Sequence, residues 1–231
     1  MNFDLNLILE SLPQMLAGFG ITLKLLVVSG ILGFILAVLL LLMRISGKFY
    51  LNWVAQVYIY VFRGTPILVQ IFIVYYGLPQ FEAVRESFLW PILREPTGCA
   101  ILALTLNTGA YVSEILRGGV LGVDKGLLEA GSALGMSARQ KFIYLTAPIA
   151  TRLALPAYSN DVISLLKSTA LASTITIADM TGIARTIVAE TYAPYEIYTS
   201  LAIVYMIFTL GLQKLFGVIE RYLGRYTRRE E

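Results

Sequence analysis

Long uncharged runs are the feature of this sequence that most restricts its fold. No Asp, Glu, Lys or Arg interrupts residues 25–43, 64–81, 96–113 or 197–213, and residues 153–178 contain only Asp161 and Lys167. A helix rises about 1.5 Å per residue, so about 20 apolar residues cross the roughly 30 Å hydrocarbon core of a bilayer. The runs therefore predict an all-α membrane protein with five transmembrane helices.

The predicted spans lie at about residues 21–43, 64–82, 97–117, 153–178 and 197–217, in a single transmembrane domain that covers residues 1–231. Residues 49–62 are uncharged but too short to cross, and their aromatic residues predict an interfacial helix that leads into the second span. The first run is longer than the core of a secretory signal, and residues 1–20 contain no Lys or Arg. We therefore expect it to be a retained membrane helix.

The distribution of positive charge predicts the orientation of the chain. Thirteen of the 18 Lys and Arg residues follow the first, third and fifth spans. They are Arg44, Lys48, Arg63, Arg117, Lys125, Arg139, Lys141, Arg152, Lys214, Arg221, Arg225, Arg228 and Arg229. Because Lys and Arg concentrate on the cytoplasmic side of membrane proteins, we expect the N-terminus outside and the C-terminus inside the cell.

Composition argues against several classes of function. The chain has 57% hydrophobic residues, 14% charged residues and no histidine, which disfavours a soluble catalytic domain, a histidine-dependent hydrolase and a metal site. A net charge of +3 gives no indication of nucleic-acid binding. The phosphate-binding pattern G-x-x-x-x-G-K-[ST] does not occur. We therefore expect no catalytic residues and no bound cofactor in this chain.

Residues 118–152, between the third and fourth spans, are predicted to form a helical hairpin in the cytoplasm. Asp124 is suited to begin one helix, and Gly135 is suited to end it in a left-handed conformation. Ser137 and Gln140 have the spacing of a capping box at the start of a second helix, which Pro148 is expected to end or bend. Taken alone, the pattern fits an amphipathic hairpin that packs on its own bundle.

Glu129-Ala130-Gly131, then Gly135, then Pro148 form a spaced pattern within this hairpin. The pattern resembles the EAA loop of ATP-binding-cassette (ABC) importer permeases, with small or apolar exchanges at three positions, Gly131, Leu145 and Ala147. The resemblance implies that the hairpin is a coupling helix that docks on a cytoplasmic ATPase. The implied coupling residues are Glu129, Ala130, Gly131, Gly135 and Pro148.

Arg63-Gly64-Thr65-Pro66, with Gln70 four residues later, is similar to the signature of polar amino-acid permeases. Pro66 suits the first turn of the second span and Thr65 is suited to cap it, which places Arg63 at the cytoplasmic lip. A well-capped helix start alone would also explain this motif. Residues 103–111 and 156–172 resemble spans of the M-type membrane subunit of uptake systems for histidine, lysine, arginine and ornithine, or for opines such as octopine and nopaline.

This resemblance implies a fold, a function and a set of partners. The fold is that of a type I ABC importer permease, a multi-pass protein of the bacterial inner membrane. The implied function is ATP-driven import of a polar, basic amino acid or opine by alternating access. The implied partners are a homologous second permease subunit, two ATPase subunits that hold ATP and Mg, and a periplasmic substrate-binding protein. The alternative is a self-sufficient secondary transporter, although the chain has no internal repeat and five spans do not divide equally.

Polar residues within the spans are the candidates for a substrate path. They are Asn107, Glu114, Asp161, Lys167, Ser168 and Thr169. A charge at the bilayer centre costs roughly 2.5 to 3.5 kcal/mol, so each charged residue requires a partner or water. One interpretation pairs Glu114 with Lys167, which would lock the bundle. The other places these residues along a wet path for an amino acid that carries both charges.

Overall fold

The computed structural model describes residues 5–223, so the tail with Arg225, Arg228 and Arg229 lies outside the described residues. The α-helices are α1 Leu5–Ala17, α2 Phe19–Ile45, α3 Phe49–Gly64, α4 Ile67–Phe72, α5 Glu82–Arg85, α6 Trp90–Leu93, α7 Pro96–Leu121, α8 Lys125–Ala133, α9 Ala138–Lys141, α10 Ala147–Thr169, α11 Met180–Thr191 and α12 Pro194–Leu223. Ile73–Gly77 and Phe142–Thr146 are π-helical, and Leu78–Gln80 and Ala170–Ile175 are 3₁₀-helical. Within residues 5–223 the regular structure is therefore all-helical.

Three continuous helices and two bent pairs have the length and composition of membrane spans. The helices α2, α7 and α12 are each long and apolar enough to cross a bilayer. The bent pairs are residues 49–64 with 67–80, at 103°, and residues 138–175 with 180–191, at 50°. The number of spans is five if each bent pair counts as one. The orientation of the termini and the single domain stay predictions.

The helices α2, α7 and α10 form the centre of the fold. Leu25 of α2, Leu104 of α7 and Leu166 of α10 are buried in one hydrophobic cluster. A second cluster contains Met15 of α1 and Ile197 of α12, together with residues of α11. The first cluster places one side of α10 in the core, whereas the other side of this helix is uncovered.

Both π-helical segments end two residues before a proline. Leu78 precedes Pro79 and donates its N–H to the carbonyl of Ile73, and Ala147 likewise precedes Pro148 and donates to Phe142. Proline lacks an N–H and its ring clashes with the carbonyl four residues earlier, so a wider π turn accommodates it without ending the helix. Of the two possibilities predicted for Pro148, the one in which it ends the second hairpin helix is therefore wrong. Pro148 lies in the first turn of α10, which continues from the hairpin.

Candidate functional site

Gln70 holds the bend between α3 and α4. Its side-chain amide nitrogen donates to the carbonyl oxygens of Phe62 (2.9 Å) and Thr65 (3.1 Å) and to the Thr65 hydroxyl (2.8 Å). The last carbonyls of a helix have no partner within the helix, so a buried amide at this position satisfies acceptors that the bend would leave free. The signature residue Gln70 therefore supports the bend.

Thr65 and Pro66 have different positions from those predicted. The Thr65 hydroxyl donates to the carbonyl of Val61 at 2.8 Å, in the helix that precedes the bend. Pro66 lies before the first residue of α4, and no side chain caps that helix. The prediction that Thr65 caps the second span and that Pro66 lies in its first turn is therefore wrong. Both residues form the bend itself.

Asn107 connects the bend to the centre of α7. Its amide nitrogen donates to the carbonyl of Phe62 (3.2 Å) and to the side-chain oxygen of Gln70 (3.1 Å). A second link lies one residue earlier on α7, where Leu106 accepts a hydrogen bond from the Tyr58 hydroxyl at 2.7 Å. The bend and α7 are therefore held in a fixed relation.

A cavity of about 440 Å³ opens beside this bend. Its lining residues are Arg63, Gly64, Thr65, Pro66, Ile67, Leu104, Asn107, Thr108, Tyr111, Asp161, Ser164, Leu165 and Ser168. Small-molecule sites have volumes of about 300 to 1,000 Å³ and a few placed polar groups. The lining contains one cation, one carboxylate and one amide, so it presents complementary groups to a molecule that carries both charges.

Arg63 is placed by an aromatic ring. Its guanidinium lies 5.1 Å from the centre of the Tyr111 ring, within the range of a cation–π interaction. The Tyr111 hydroxyl in turn donates to the Arg63 carbonyl at 3.4 Å. Tyr111 lines this cavity but was not among the predicted site residues. Its position on α7, four residues after Asn107, is the spacing that places two side chains on one helix face.

The six predicted path residues divide into two groups. Asn107, Asp161 and Ser168 line the cavity, whereas Glu114, Lys167 and Thr169 do not. Thr169 is fully buried and its hydroxyl donates to the carbonyl of Leu166. Half of the predicted set therefore meets around one space, together with the signature residues 63–66.

Glu114 belongs to a cluster of charges that connects three helices. Its carboxylate accepts from Arg117 at 2.6 Å and lies 3.5 Å from Arg44, and Arg44 also donates to Asn52 of α3. The interpretation that pairs Glu114 with Lys167 is therefore wrong, because two arginines surround the carboxylate. Arg117 lies three residues after Glu114, so this partner could have been found from the sequence.

Lys167 lies on an uncovered stripe of α10. The exposed residues of this stripe are Leu153, Pro156, Ala157, Asn160, Ser164 and Lys167. At 100° per residue they fall on one side of the helix. Among residues 5–223, Lys167 has no ion-pair partner. The α10 stripe thus carries an amide, a hydroxyl and a free cation along the middle of a candidate span.

The hairpin has the local structure that its sequence predicts. Asp124 accepts from the N–H of Leu127 at 3.2 Å, and Gly135 has a φ of +75°. The N–H groups of Met136 and Gly135 return to the carbonyls of Gly131 and Ser132, both at 3.0 Å, which is the pattern of a Schellman motif. Ser137 and Gln140 form both bonds of the capping box. These local predictions are confirmed.

The three consecutive motif residues of the hairpin differ in their exposure. Glu129 and Ala130 are exposed, whereas Gly131 is buried. A Cβ atom at Gly131 would lie 3.0 Å from Leu145, so the missing side chain allows the two halves of the hairpin to pack. Exposed apolar side chains lie nearby, notably Leu134 (83% exposed) and Tyr144 (68% exposed). The hairpin therefore exposes a carboxylate together with apolar side chains.

The sequence profile described as "Binding-protein-dependent transport system inner membrane component" matches residues 29–228. The chain is 47% identical to the octopine transport system permease protein OccM of Rhizobium meliloti, over 99% of this chain and 95% of that protein. It is 42% identical to the histidine/lysine/arginine/ornithine transport system permease protein HisM of Escherichia coli K12, over 88% of this chain and 86% of that protein.

Solved structures have the same architecture. A chain of an amino acid ABC transporter crystallised with histidines superimposes with a TM-score of 0.86 at 34% identity and covers 96% of this chain and 100% of its own length. A chain of the inward-facing MetNI methionine ABC transporter has a TM-score of 0.69 at 19% identity. The second likeness concerns the fold alone.

Proposed function

The chain belongs to the family of binding-protein-dependent transport system inner membrane components, and from this membership we propose that it imports a basic amino acid or an opine. It is a permease subunit of an ABC importer for amino acids or opines and is a non-catalytic, multi-pass component of the inner membrane. The substrate class is proposed from relatives that are named for octopine and for histidine, lysine, arginine and ornithine.

The α10 stripe carries this proposal. A lipid-facing helix does not expose residues such as Asn160, Ser164 and Lys167 within a membrane span, because uncompensated polar groups in hydrocarbon are costly. The stripe must therefore face water or another protein chain. A homologous second permease subunit, placed against α10, would enclose a polar path between the two chains. Asp161 and Ser168 then join that path to the cavity at the bend.

Energy for transport enters through the hairpin. The exposed Glu129 and the neighbouring apolar side chains form the surface on which an ATPase subunit docks, in a complex with two ATPase subunits that bind ATP and Mg. Because α9 continues through the π segment into α10, movement of the hairpin is transmitted to the helix that carries the stripe. Alternating access then follows from rocking of the two permease subunits, with a periplasmic binding protein supplying the substrate.

The test uses the complete importer in proteoliposomes with ATP in the ATPase compartment. Labelled arginine, histidine and octopine are offered with the binding protein, and we expect ATP-dependent uptake of at least one. Glu129→Lys should reduce uptake about tenfold or more, since reversal of an interfacial charge costs several kcal/mol. Glu86→Lys, at an exposed position outside the hairpin, is the matched control and should transport normally. Uptake by this chain alone, driven by an ion gradient, would contradict the proposal.

A further inference from the structure

A second polar cavity, of about 430 Å³, lies at the end of α10 opposite the hairpin. It opens between the 3₁₀ segment 170–175 and α11. Its lining residues are Ser173, Thr174, Thr176, Ile177, Ala178, Gly182, Arg185, Thr186 and Ala189. Arg185 is the one charged side chain in this lining, and the other polar side chains are hydroxyls. The lining of this cavity is therefore polar and positively charged.

The guanidinium of Arg185 is held by one hydrogen bond, and most of its N–H donors are unused. One of its nitrogens donates to the carbonyl of Ser173 at 3.0 Å, across the cavity. No carboxylate of residues 5–223 lies within 4.0 Å of it. Guanidinium has five N–H donors in a planar fork that matches the two oxygens of a carboxylate. The remaining donors of Arg185 are thus available to an anion that enters the cavity.

The walls of this cavity are held by a buried cap. Asp179 is fully buried and accepts from the N–H of Gly182 at 2.9 Å, which fixes the first turn of α11. Thr176, at the mouth, has a φ of +65°, a left-handed conformation that is uncommon for threonine. The two walls therefore have a defined geometry before any ligand arrives.

The cavity lies on the same helical run as the proposed path. Ser173 follows Ser168 by five residues in one helical run, and Ser168 lines the cavity at the bend. A volume near 430 Å³ is in the range of small-molecule sites. Under the predicted orientation this end of α10 faces outward, where the substrate arrives.

We propose that this cavity is an entry site in which Arg185 binds the carboxylate of the incoming amino acid or opine. The inference rests on the proposed function. It assigns a second substrate-binding site to the chain, besides the cavity at the bend. The hydroxyl of Ser173 supplies a further donor to the same carboxylate, and the rest of the substrate extends toward the α10 stripe.

The experiment measures the accessibility of one cysteine thiol introduced into the lining of the cavity. Cys99 is the one cysteine of the chain and is buried, so Cys99→Ser with Thr186→Cys places the only thiol at the rim of the cavity. In the complete importer, the rate of maleimide labelling is measured at increasing concentrations of L-arginine. A parallel series uses L-argininamide, which lacks the carboxylate. We expect arginine to slow labelling and argininamide to have no effect.

Arg185→Gln should then raise the arginine concentration for half-protection about tenfold or more, because charge-assisted bonds to a carboxylate are lost. Arg185→Lys keeps the charge without the fork and should give an intermediate value. Arg94→Gln, at an exposed arginine paired on the surface with Glu95, is the matched control and should leave protection unchanged. Normal gel filtration and ATPase content of each complex verify that the variants are folded.

Three outcomes would overturn the entry site. They are equal effects of arginine and argininamide, unchanged protection in Arg185→Gln, and protection by the binding protein without ligand but not by arginine. The last would mean that the cavity is a docking surface. Uptake by the unmodified importer separates the two proposals: ATP-driven uptake with failed protection removes the entry site alone, whereas absent uptake removes the proposed function.

Discussion

The side chain of Gln70 makes most of the side-chain hydrogen bonds that hold the bend between α3 and α4. It makes three donor contacts across the bend and accepts a fourth bond from Asn107, at 6% exposure. Gln70→Leu keeps the approximate volume and removes every one of these bonds. We expect a loss of about 2 to 4 kcal/mol of stability, since buried acceptors are left unpaired.

The thermal transition of the purified chain in detergent measures this loss. The matched control is Gln80→Leu, at an exposed glutamine that makes a single bond to the carbonyl of Tyr76. Its effect should stay within about 0.5 kcal/mol, as for other surface substitutions. Equal transitions for the two variants would mean that the bend is not held by Gln70.

Alanine substitutions at two glycines near the start of α2 should change the stability of the protein in opposite directions. A Cβ atom at Gly18 would lie 2.5 Å from the backbone of Asp179, whereas a Cβ atom at Gly20 meets nothing within 4 Å. Gly18→Ala should cost about 1 to 3 kcal/mol or more, because backbone must move. Gly20→Ala should be neutral or gain up to about 1 kcal/mol from helix propensity. Thermal unfolding of the two variants side by side checks the difference in sign.

At the residue scale, half of the predicted path residues lie together. Asn107, Asp161 and Ser168 line one cavity with residues 63–66, whereas Glu114, Lys167 and Thr169 do not. The predicted cap at Thr65 was wrong because its hydroxyl bonds to Val61, in the preceding helix. The pairing of Glu114 with Lys167 was wrong because Arg117 of the same helix and Arg44 of α2 lie beside the carboxylate. Hydrophobic patterning sets which helices pack, but it does not determine which of several cations reaches a carboxylate.

At the element scale, the hairpin was predictable because its signals are local. The cap at Asp124, the left-handed Gly135 and the capping box at Ser137 each involve residues within a few positions of one another. The break between α3 and α4 was expected near Thr65 and Pro66, but the bonds that hold it were not predicted, since they depend on a buried side chain eight residues away from its acceptor. The π segments before Pro79 and Pro148 were also missed, although proline is the local signal for them.

The turn at Gly135 gives a test of the hairpin as an element. An L-residue at a φ of +75° costs about 1 to 2 kcal/mol, and asparagine tolerates this region better than alanine. Gly135→Ala should therefore reduce both the ATPase that co-purifies and the rate of uptake, by about 5- to 30-fold. Gly135→Asn should lose less of both.

The order of these two variants is the informative result. If alanine and asparagine were equally tolerated, the left-handed turn would not matter for coupling. Gly126→Ala provides a control within the same hairpin, at a glycine outside the turn whose added Cβ would meet only the Asp124 side chain. Uptake and co-purification should be near normal for it.

At the scale of the whole molecule, the described chain leaves polar and apolar surfaces uncovered on different helices. The window of α12 that is apolar enough to cross a membrane is only 6% buried, which suits contact with lipid. The α10 stripe instead exposes Asn160, Ser164 and Lys167. This difference separates a lipid-facing side from a side that requires a partner or water. The α10 stripe is therefore a surface that requires water or another chain beside it.

A substitution at Lys167 tests whether the α10 stripe faces another chain or the substrate. Because it has no ion-pair partner within residues 5–223, Lys167→Met removes no bond from the isolated chain, and the melting temperature should be unchanged or higher. Uptake by the complete importer should fall about tenfold or more, since the cation is needed only where a second subunit or substrate faces the stripe. Lys24→Met, at an exposed lysine near the start of α2, is the control and should preserve uptake. A lower melting temperature for the isolated Lys167→Met chain would instead assign this lysine to the fold, and unchanged uptake would place the polar path away from α10.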